Sequence, residues 1–262
     1  MFNKKKLLGI EFTLATEEEV LEYIITGLEK SAEKYYVVTP NPELLVIANK
    51  NTNYKKVLNG AKLALPDGVG VMIAGQLLGK QLKQKITGVD LMKKICERVA
   101  EKPITIGFLG AGPGVAEKAA ECLVSCYPGL KVVFVNEEWE QSGFERAKKY
   151  QEDEKNNKSG LNAKYKIHNT IDILFVAFGS PKQELWIAEN LEKLPVKVAI
   201  GVGGSFDFIS GKVKRAPEWM RKIGLEWLFR LIIQPWRIKR QFSLVIFSLL
   251  VFKEMIAGRS SE

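Results

Sequence analysis

The stretch Leu63-Ala64-Leu65-Pro66-Asp67-Gly68-Val69-Gly70 constrains this chain more than any other. The apolar run over residues 61–65 is long enough for a strand and too short for a helix. Pro66 then stops strand pairing, Gly68 and Gly70 admit backbone angles that other residues resist, and helical apolar spacing resumes over 69–78. These residues predict a tight strand-to-helix turn that holds Asp67 at the carboxyl end of a strand. In open α/β sheets ligands bind at that edge. Asp is also a favoured helix N-cap, so position alone leaves Asp67 between a cap and a chemical group.

The same grammar recurs along the chain. Residues 7–12 read as a first strand, and Thr16-Glu17-Glu18-Glu19 as a capping box opening a helix to about residue 32. A strand over 35–38 ends in Thr39-Pro40-Asn41-Pro42-Glu43, where two prolines bar helix and sheet alike. Pro42 suits the first position of a helix to Lys50, so Thr39 and Asn41 are held at another carboxyl strand end. They stand beside Asp67 if the two strands are neighbours; the plain alternative is a Pro-rich turn with a capping Asn. A basic loop over 79–87 carries Lys80, Lys83 and Lys85, and a helix follows over 88–101.

A strand over 104–109 then runs into Gly110-Ala111-Gly112-Pro113-Gly114 and a helix over 115–126. Backbone N–H groups and the helix dipole at such a turn can hold a pyrophosphate. The third glycine of the dinucleotide fingerprint is missing from its place, and no acidic residue is expected to end the next strand, 131–135. No phosphate-binding loop of the ATPase kind occurs. A charged helix is expected over 142–154 and a polar loop over 155–166. His168, the sole histidine, leaves no basis for a Ser-His or Cys-His nucleophile. A strand over 171–178 leads to Gly179-Ser180-Pro181-Lys182-Gln183-Glu184, which puts Lys182 and Gln183 in a first helical turn, suited to phosphate or sugar hydroxyls. The last strand, 196–202, opens a second glycine turn at Gly203 and Gly204, before Ser205-Phe206-Asp207. Strands alternating with helices throughout predict an α/β fold, Rossmann-like, with a mainly parallel doubly wound sheet.

Charge divides the chain into residues 1–211 and 212–262. Between 212 and 259 eleven Lys and Arg stand against three Glu, so this segment carries +8 of the net +9. A basic block of this kind points to nucleic acid or an anionic membrane surface. Helices are expected over 216–233 and 235–257, separated by Pro235, with Trp219, Trp227, Trp236, Phe242 and Phe247 among Arg221, Arg230, Arg237, Lys239 and Arg240. That mixture suits a helix lying in a bilayer interface, or helices that close over the core and lend arginines to a site. The face is too apolar to track phosphates, which disfavours nucleic acid. The run 242–252 is about half of the roughly 20 residues needed to span a bilayer, and no signal peptide is evident. Cys96, Cys122 and Cys126 have no zinc-like spacing, so buried reduced thiols are expected.

Taken together, Thr39-Pro40-Asn41-Pro42-Glu43, Pro66-Asp67-Gly68-Val69-Gly70, Thr87-Gly88-Val89-Asp90-Leu91, Gly179 to Glu184, Gly201 to Asp207, Arg215-Ala216-Pro217, Gly224-Leu225-Glu226-Trp227-Leu228 and Pro235-Trp236-Arg237 resemble the WecG/TagA/CpsF glycosyltransferase family, in order, from about residue 39 to 240. The closest likeness is to its branch that makes the linkage unit of wall teichoic acid. The resemblance implies inverting transfer of N-acetylmannosamine from its UDP derivative to the 4-hydroxyl of N-acetylglucosamine on undecaprenyl diphosphate, in a β-1,4 linkage. A related transfer from another UDP-sugar, UDP-N-acetylmannosaminuronic acid or UDP-glucose, is the nearest alternative, and a nucleic-acid-binding or regulatory protein a distant one. By resemblance Asp67 is the general base, Thr39, Asn41 and Gln183 line its pocket, Lys85 stands where relatives carry Arg before Thr-Gly-x-Asp-Leu, and Arg230, Arg237 and Arg240 belong to an appendage that completes the site. Ala177 and Gln234 stand where relatives usually have Gly and Glu.

The residues fit that chemistry independently. An inverting transfer needs one base for the acceptor proton and stabilisation for the departing diphosphate. No D-x-D metal motif occurs, so the N–H groups of Gly110, Gly112, Gly114, Gly203 and Gly204 and nearby cations are expected to serve instead, with no metal and no cofactor. Asp90, Asp207 and Glu43 are the competitors of Asp67. The implied partners are a UDP-sugar, a lipid-diphosphate-linked N-acetylglucosamine acceptor and an anionic membrane, with no nucleic acid and a homo-oligomer left open. The implied location is the cytoplasm, peripheral on the inner face of the cell membrane.

Overall fold

The computed structural model describes residues 2–30, 33–138 and 170–259. The chain divides into two compact units. The first takes Met1–Val20, Val37–Gly88 and Val213–Glu262, and the second Leu21–Tyr36 and Val89–Lys212.

The first unit opens on an antiparallel hairpin of β1 (Lys4–Leu7) and β2 (Ile10–Thr13), with Leu7 opposite Ile10. This corrects the single strand expected over 7–12. The two turn residues, Leu8 (φ 48°) and Gly9 (φ 82°), both lie in the left-handed region that a two-residue hairpin turn requires. Leu is an unusual residue for that conformation, which hid the turn. Helix α1 (Glu17–Lys30) starts at the expected capping box: the Thr16 N–H donates to Glu19 at 2.7 Å, and the Glu19 N–H donates to Thr16 Oγ1 at 3.2 Å. Lys83, together with these cap bonds, holds the Glu19 carboxyl down at about 2.

Strands β3 (Tyr35–Val38) and β4 (Leu63–Ala64) pair in parallel, with Val37 opposite Leu63 and Val38 opposite Ala64. Helices α2 (Pro42–Lys50) and α3 (Thr52–Gly60) connect them, and α4 (Val69–Leu77) follows β4. The C-terminal segment forms three α-helices rather than two: α9 (Glu218–Lys222), α10 (Glu226–Ile233) and α11 (Ile238–Arg259). The unexpected break falls at Gly224 (φ 79°). There the Gly224 N–H donates to Arg221 O at 3.3 Å and the Leu225 N–H to Met220 O at 2.8 Å, the paired bonds of a Schellman turn. Helix α11 packs on α2 and buries Phe247 and Val251. No helix of the described residues is long and apolar enough to cross a membrane.

The second unit holds four parallel strands in the order β8 (Val196–Gly201), β7 (Ile171–Ala177), β5 (Thr105–Gly110), β6 (Lys131–Asn136). Helices α5 (Gly88–Val99), α6 (Val115–Cys126), α7 (Lys182–Asn190) and the short α8 (Ser205–Ile209) alternate with them. Every residue of β7 is buried, as expected of a parallel strand covered on both faces. The strands and the alternation with helices are those of the expected α/β fold. Leu109, Ile171, Leu174, Val176, Ile187 and Val196 form part of one packed core cluster.

Two expectations change here and one cannot be followed. Cys96 is buried, and burial pushes its thiol up, but Cys122 is half-buried and Cys126 exposed, so only one of the three is a core thiol. Helix α7, which the apolar spacing carries to residue 194, ends at Asn190, and a 3-10 turn, Leu191–Lys193, takes the place of its last residues. The expected helix over 142–154, the loop over 155–166 and His168 lie outside the described residues.

Candidate active site

The pairing of β3 with β4 puts their carboxyl ends side by side, and the two turns that follow are bonded to each other. Leu65 N–H donates to Val38 O at 2.9 Å and Asp67 N–H to Pro40 O at 3.1 Å. Across the Asp67 turn, Ile86 N–H donates to Pro66 O at 2.9 Å, which brings the residue after Lys85 to the same edge. A Cβ on Gly70 would stand 3.0 Å from Pro42 Cγ, so the second glycine lets the start of α4 lie against the Pro-rich turn.

Asp67 is not a helix cap. Gly68 (φ 96°), not Asp67, occupies the N-cap of α4. Asp67, one residue before that cap, is half-buried in the turn. Asn41, by contrast, does cap: its Oδ1 accepts the Leu44 N–H at 3.1 Å and fixes the first turn of α2. That bond uses the amide oxygen only. Thr39 is half-buried at the end of β3.

The C-terminal segment meets this edge. Glu43, in the first turn of α2, receives both faces of the Arg240 fork: Arg240 Nε lies 2.8 Å from Oε1, and Nη2 2.8 Å from Oε2. Lys85 Nζ donates to the backbone oxygen of Arg221 at 3.2 Å. Lys80 pairs with Glu254, and Arg215 Nε with Glu226 at 3.1 Å. Arg230 sits half-buried in α10, while Arg237 ends the 3-10 turn Pro235–Arg237 and reaches Gln234 Oε1 at 3.3 Å. The first unit thus brings Thr39, Asn41, Asp67, Lys85 and Arg240 to one edge. The seven-residue spacing of Arg230 and Arg237 does not make one helical face, because α10 stops at Ile233.

In the second unit the glycine turns stand at carboxyl strand ends too. Gly110 (φ 103°), Ala111 (φ 69°) and Gly114 (φ 70°) shape the loop before α6, and a Cβ on Gly112 would lie 3.4 Å from Lys212 Nζ. Lys212 also faces Asp207 at 3.8 Å. Strand β6 runs to Asn136, one residue beyond expectation, so no acidic residue ends it; Glu137 follows it, and its Oε1 accepts the Gly114 N–H at 2.8 Å. Gln183, only 2 % exposed, accepts the Gly203 N–H on Oε1 at 3.0 Å and donates from Nε2 to Glu184 at 2.7 Å. Gly204 precedes the first residue of α8. Among the described residues, no group of three or more His, Cys, Asp or Glu side chains comes together as a metal site would need.

The model of the glycosyl transferase WecG/TagA/CpsF family matches residues 5–261. The chain belongs to this family.

Within it, the chain is 35% identical over 238 residues to the Bacillus subtilis (strain 168) N-acetylglucosaminyldiphosphoundecaprenol N-acetyl-beta-D-mannosaminyltransferase, covering 88% of this chain and 87% of that protein. It is 34% identical over 209 residues to the enzyme of that name from Bacillus spizizenii, covering 80% and 75%. A Staphylococcus aureus (strain MRSA252) relative of the same name is 30% identical over 249 residues, covering 93% and 90%. The family match takes in both units and the C-terminal helices. The family likeness read from residues 39–240 therefore extends over nearly the whole chain. Two features of the WecG/TagA/CpsF member at hand escaped the sequence: Glu137, for which a strand one residue longer was the only signal, and Glu43 as the partner of Arg240, 197 positions away.

Proposed function

We propose that this protein transfers N-acetylmannosamine from its UDP derivative to the 4-hydroxyl of N-acetylglucosamine carried on undecaprenyl diphosphate, with inversion and a β-1,4 linkage, in the synthesis of a teichoic acid linkage unit. The observation that carries the reading is the Asp67 turn: an aspartate at paired carboxyl strand ends whose backbone N–H is bonded to Pro40 O in the Thr39–Pro42 turn. The relatives' shared name supplies the substrates.

In this reading Asp67 takes the proton of the acceptor hydroxyl as it attacks the anomeric carbon. The acceptor oxygen forms the new glycosidic bond from the face opposite the leaving group, and the bond to the UDP oxygen breaks. Thr39 and Asn41 orient the reacting sugar. Lys85, Arg230, Arg237 and Arg240 offset the charge that develops on the diphosphate. Gln183 holds the Gly203 turn in the conformation that presents its neighbours. The absence of a D-x-D motif from the sequence supports a reaction without a metal ion.

The segment 212–262 acts as an appendage that completes the site and rests on the anionic cytoplasmic leaflet. Its supports are the concentration of +8 charge over residues 212–259 and the exposed Trp219, Trp236, Phe242 and Leu249, each more than 60 % accessible. The test is UDP release with a panel of UDP-sugars and a lipid-diphosphate N-acetylglucosamine acceptor. Release with UDP-N-acetylmannosamine and the acceptor together is the expected result. Turnover only with UDP-N-acetylmannosaminuronic acid or UDP-glucose would replace the donor, and no turnover with any would overturn the reading.

A further inference from the structure

The turn that ends α9 touches the Asp67 turn at two independent points. Gly224 lies so close to Val69, the first residue of α4, that a Cβ on Gly224 would stand 2.5 Å from Val69 Cγ2 and 2.8 Å from Val69 Cβ. Real Cβ atoms do not approach that closely, so the glycine is required by contact as well as by its φ of 79°. One residue pair away, the Arg221 carbonyl, which accepts the Gly224 N–H, also accepts Lys85 Nζ at 3.2 Å. Lys85 precedes Ile86, whose N–H is bonded to Pro66 O. The Schellman turn therefore presses on the residue two after Asp67 and is tied, through Lys85 and Ile86, to the residue before it.

Neither contact is explained by the stability of α9, a five-residue helix that buries none of its residues. Its C-terminal turn nevertheless has complete capping bonds and a packing contact with no room for a methyl group. A turn of this precision on a marginal helix is a spacer. We propose that the Arg221–Leu225 turn is a positioning element for Asp67: Gly224 sets the depth of Val69, and Lys85 on the Arg221 carbonyl sets the lateral position of the Pro66–Asp67 peptide. Lys85 then has a task besides charge. An ammonium on a flexible stem serves a single carbonyl well, which is what stands before it here.

The inference rests on Asp67 as the base, and the experiment keeps the two apart. Gly224→Ala, Gly224→Ala/Val69→Gly and Asp67→Asn are compared with the wild type for kcat, for KM of the UDP-sugar and for thermal melting. Gly224→Ala is expected to lower kcat roughly 10- to 100-fold, the cost of a displacement of up to about 1 Å at a reacting group. KM for the UDP-sugar should stay within about twofold, since a base displaced from the acceptor proton changes proton transfer more than donor binding. The double variant removes the side chain that the new methyl strikes and should recover most of the lost kcat, although the φ of residue 224 is as unfavourable for Ala as in the single variant. A merely structural glycine would show equal loss in both variants and a matching fall in melting temperature. If Asp67→Asn is slow while folded Gly224→Ala keeps wild-type kcat, or if the double variant is as slow as the single, the positioning inference is overturned and the base assignment stands. If Asp67→Asn is itself near wild type, the base assignment fails first.

Discussion

Arg240 grips Glu43 with both its Nε and Nη2 groups, each 2.8 Å from a carboxylate oxygen, and so joins the first turn of α11 to the first turn of α2. The same pair gives Arg240 two readings. A guanidinium has five N–H donors in a rigid fork, so one edge can hold Glu43 while the other edge meets a phosphate. Alternatively the arginine serves only to seat α11.

Exchanging the charges separates these readings. Arg240→Glu alone should lower turnover and loosen α11, since two carboxylates then face each other. Glu43→Arg/Arg240→Glu restores an ion pair of the same sign product, and hydrogen exchange of α11 should return to its wild-type protection. Turnover should stay roughly 10-fold or more below wild type, because the fork now stems from α2 and its free edge is misplaced. Recovery of full turnover by the exchange would make Arg240 a docking residue only.

Asp67→Asn should leave the fold intact, because the turn is held through backbone bonds to Pro40 and across Pro66 that the substitution leaves in place. Turnover should fall roughly 10²–10⁴-fold, the usual range for a lost general base. The measurement is UDP release by a variant with wild-type circular dichroism. Asp90, Asp207 and Glu43 are the control substitutions: Glu43 is engaged by Arg240, and Asp207 faces Lys212.

Much of this was legible in the residues, and what was not has a physical reason. The Thr16 capping box, the bounds of β3, Pro42 at the start of α2 and the full span of α6 follow from local rules, since caps, prolines and glycine-bounded apolar runs act over three or four residues. The hairpin at Leu8-Gly9 was hidden because its first turn residue is an apolar Leu, forced left-handed by the register of its strands. The helix break at Gly224 was hidden because a lone Gly in an apolar helical pattern is tolerated; only its contact with Val69 shows why the chain turns there. The Glu43–Arg240 pair and the Glu137–Gly114 bond are tertiary, and no local pattern encodes them.

Removal of metal ions should leave activity unchanged. The expectation rests on the missing D-x-D motif and on the cations proposed to take the diphosphate. Incubation with excess EDTA followed by the UDP-release assay checks it. A loss that Mg²⁺ or Mn²⁺ reverses would show that the diphosphate is held through a metal.

Acid stability has one identifiable contributor in the second unit. Burial by itself raises the Asp172 carboxyl, but Lys197 at 2.8 Å and the Thr105 N–H and hydroxyl, each also at 2.8 Å, outweigh it and hold the group below its ordinary value. A depressed folded-state pKa gives stability that is present above the unfolded value near 3.9 and is lost as pH falls through the lower folded value. Asp172→Asn should therefore cost about 1–3 kcal/mol at neutral pH, the range for a buried hydrogen-bonded group losing a charged acceptor. The difference from wild type should shrink as pH falls below the unfolded value. Urea denaturation at several pH values reads both effects, and a difference that persists unchanged into acid would assign the stabilisation to the neutral hydrogen bonds alone.

The last prediction concerns the outer face of α11. Ile238, Phe242, Val245, Leu249, Phe252 and Ile256 are all at least 50 % exposed and recur at alternating intervals of four and three, which lines them along one side of the helix. Phe247 and Val251 are buried on the side that packs on α2. The apolar stripe is thus separate from the face that seats α11, so it can be altered without unseating Arg240. Each buried apolar side chain adds to membrane affinity in proportion to its area, and each nearby Lys or Arg adds about 1 kcal/mol at an anionic surface. Phe242→Ser/Leu249→Ser/Phe252→Ser should lower binding to vesicles containing phosphatidylglycerol at least roughly tenfold, since three large side chains together carry several kcal/mol of transfer energy. Turnover on a soluble short-chain acceptor should stay near wild type, and turnover on a full-length lipid acceptor in vesicles should fall with binding. If vesicle binding survives the triple substitution but disappears in high salt, the lysines and arginines alone anchor the segment. If soluble-acceptor turnover falls as far as vesicle turnover, the stripe belongs to the active site and not to a membrane-facing surface.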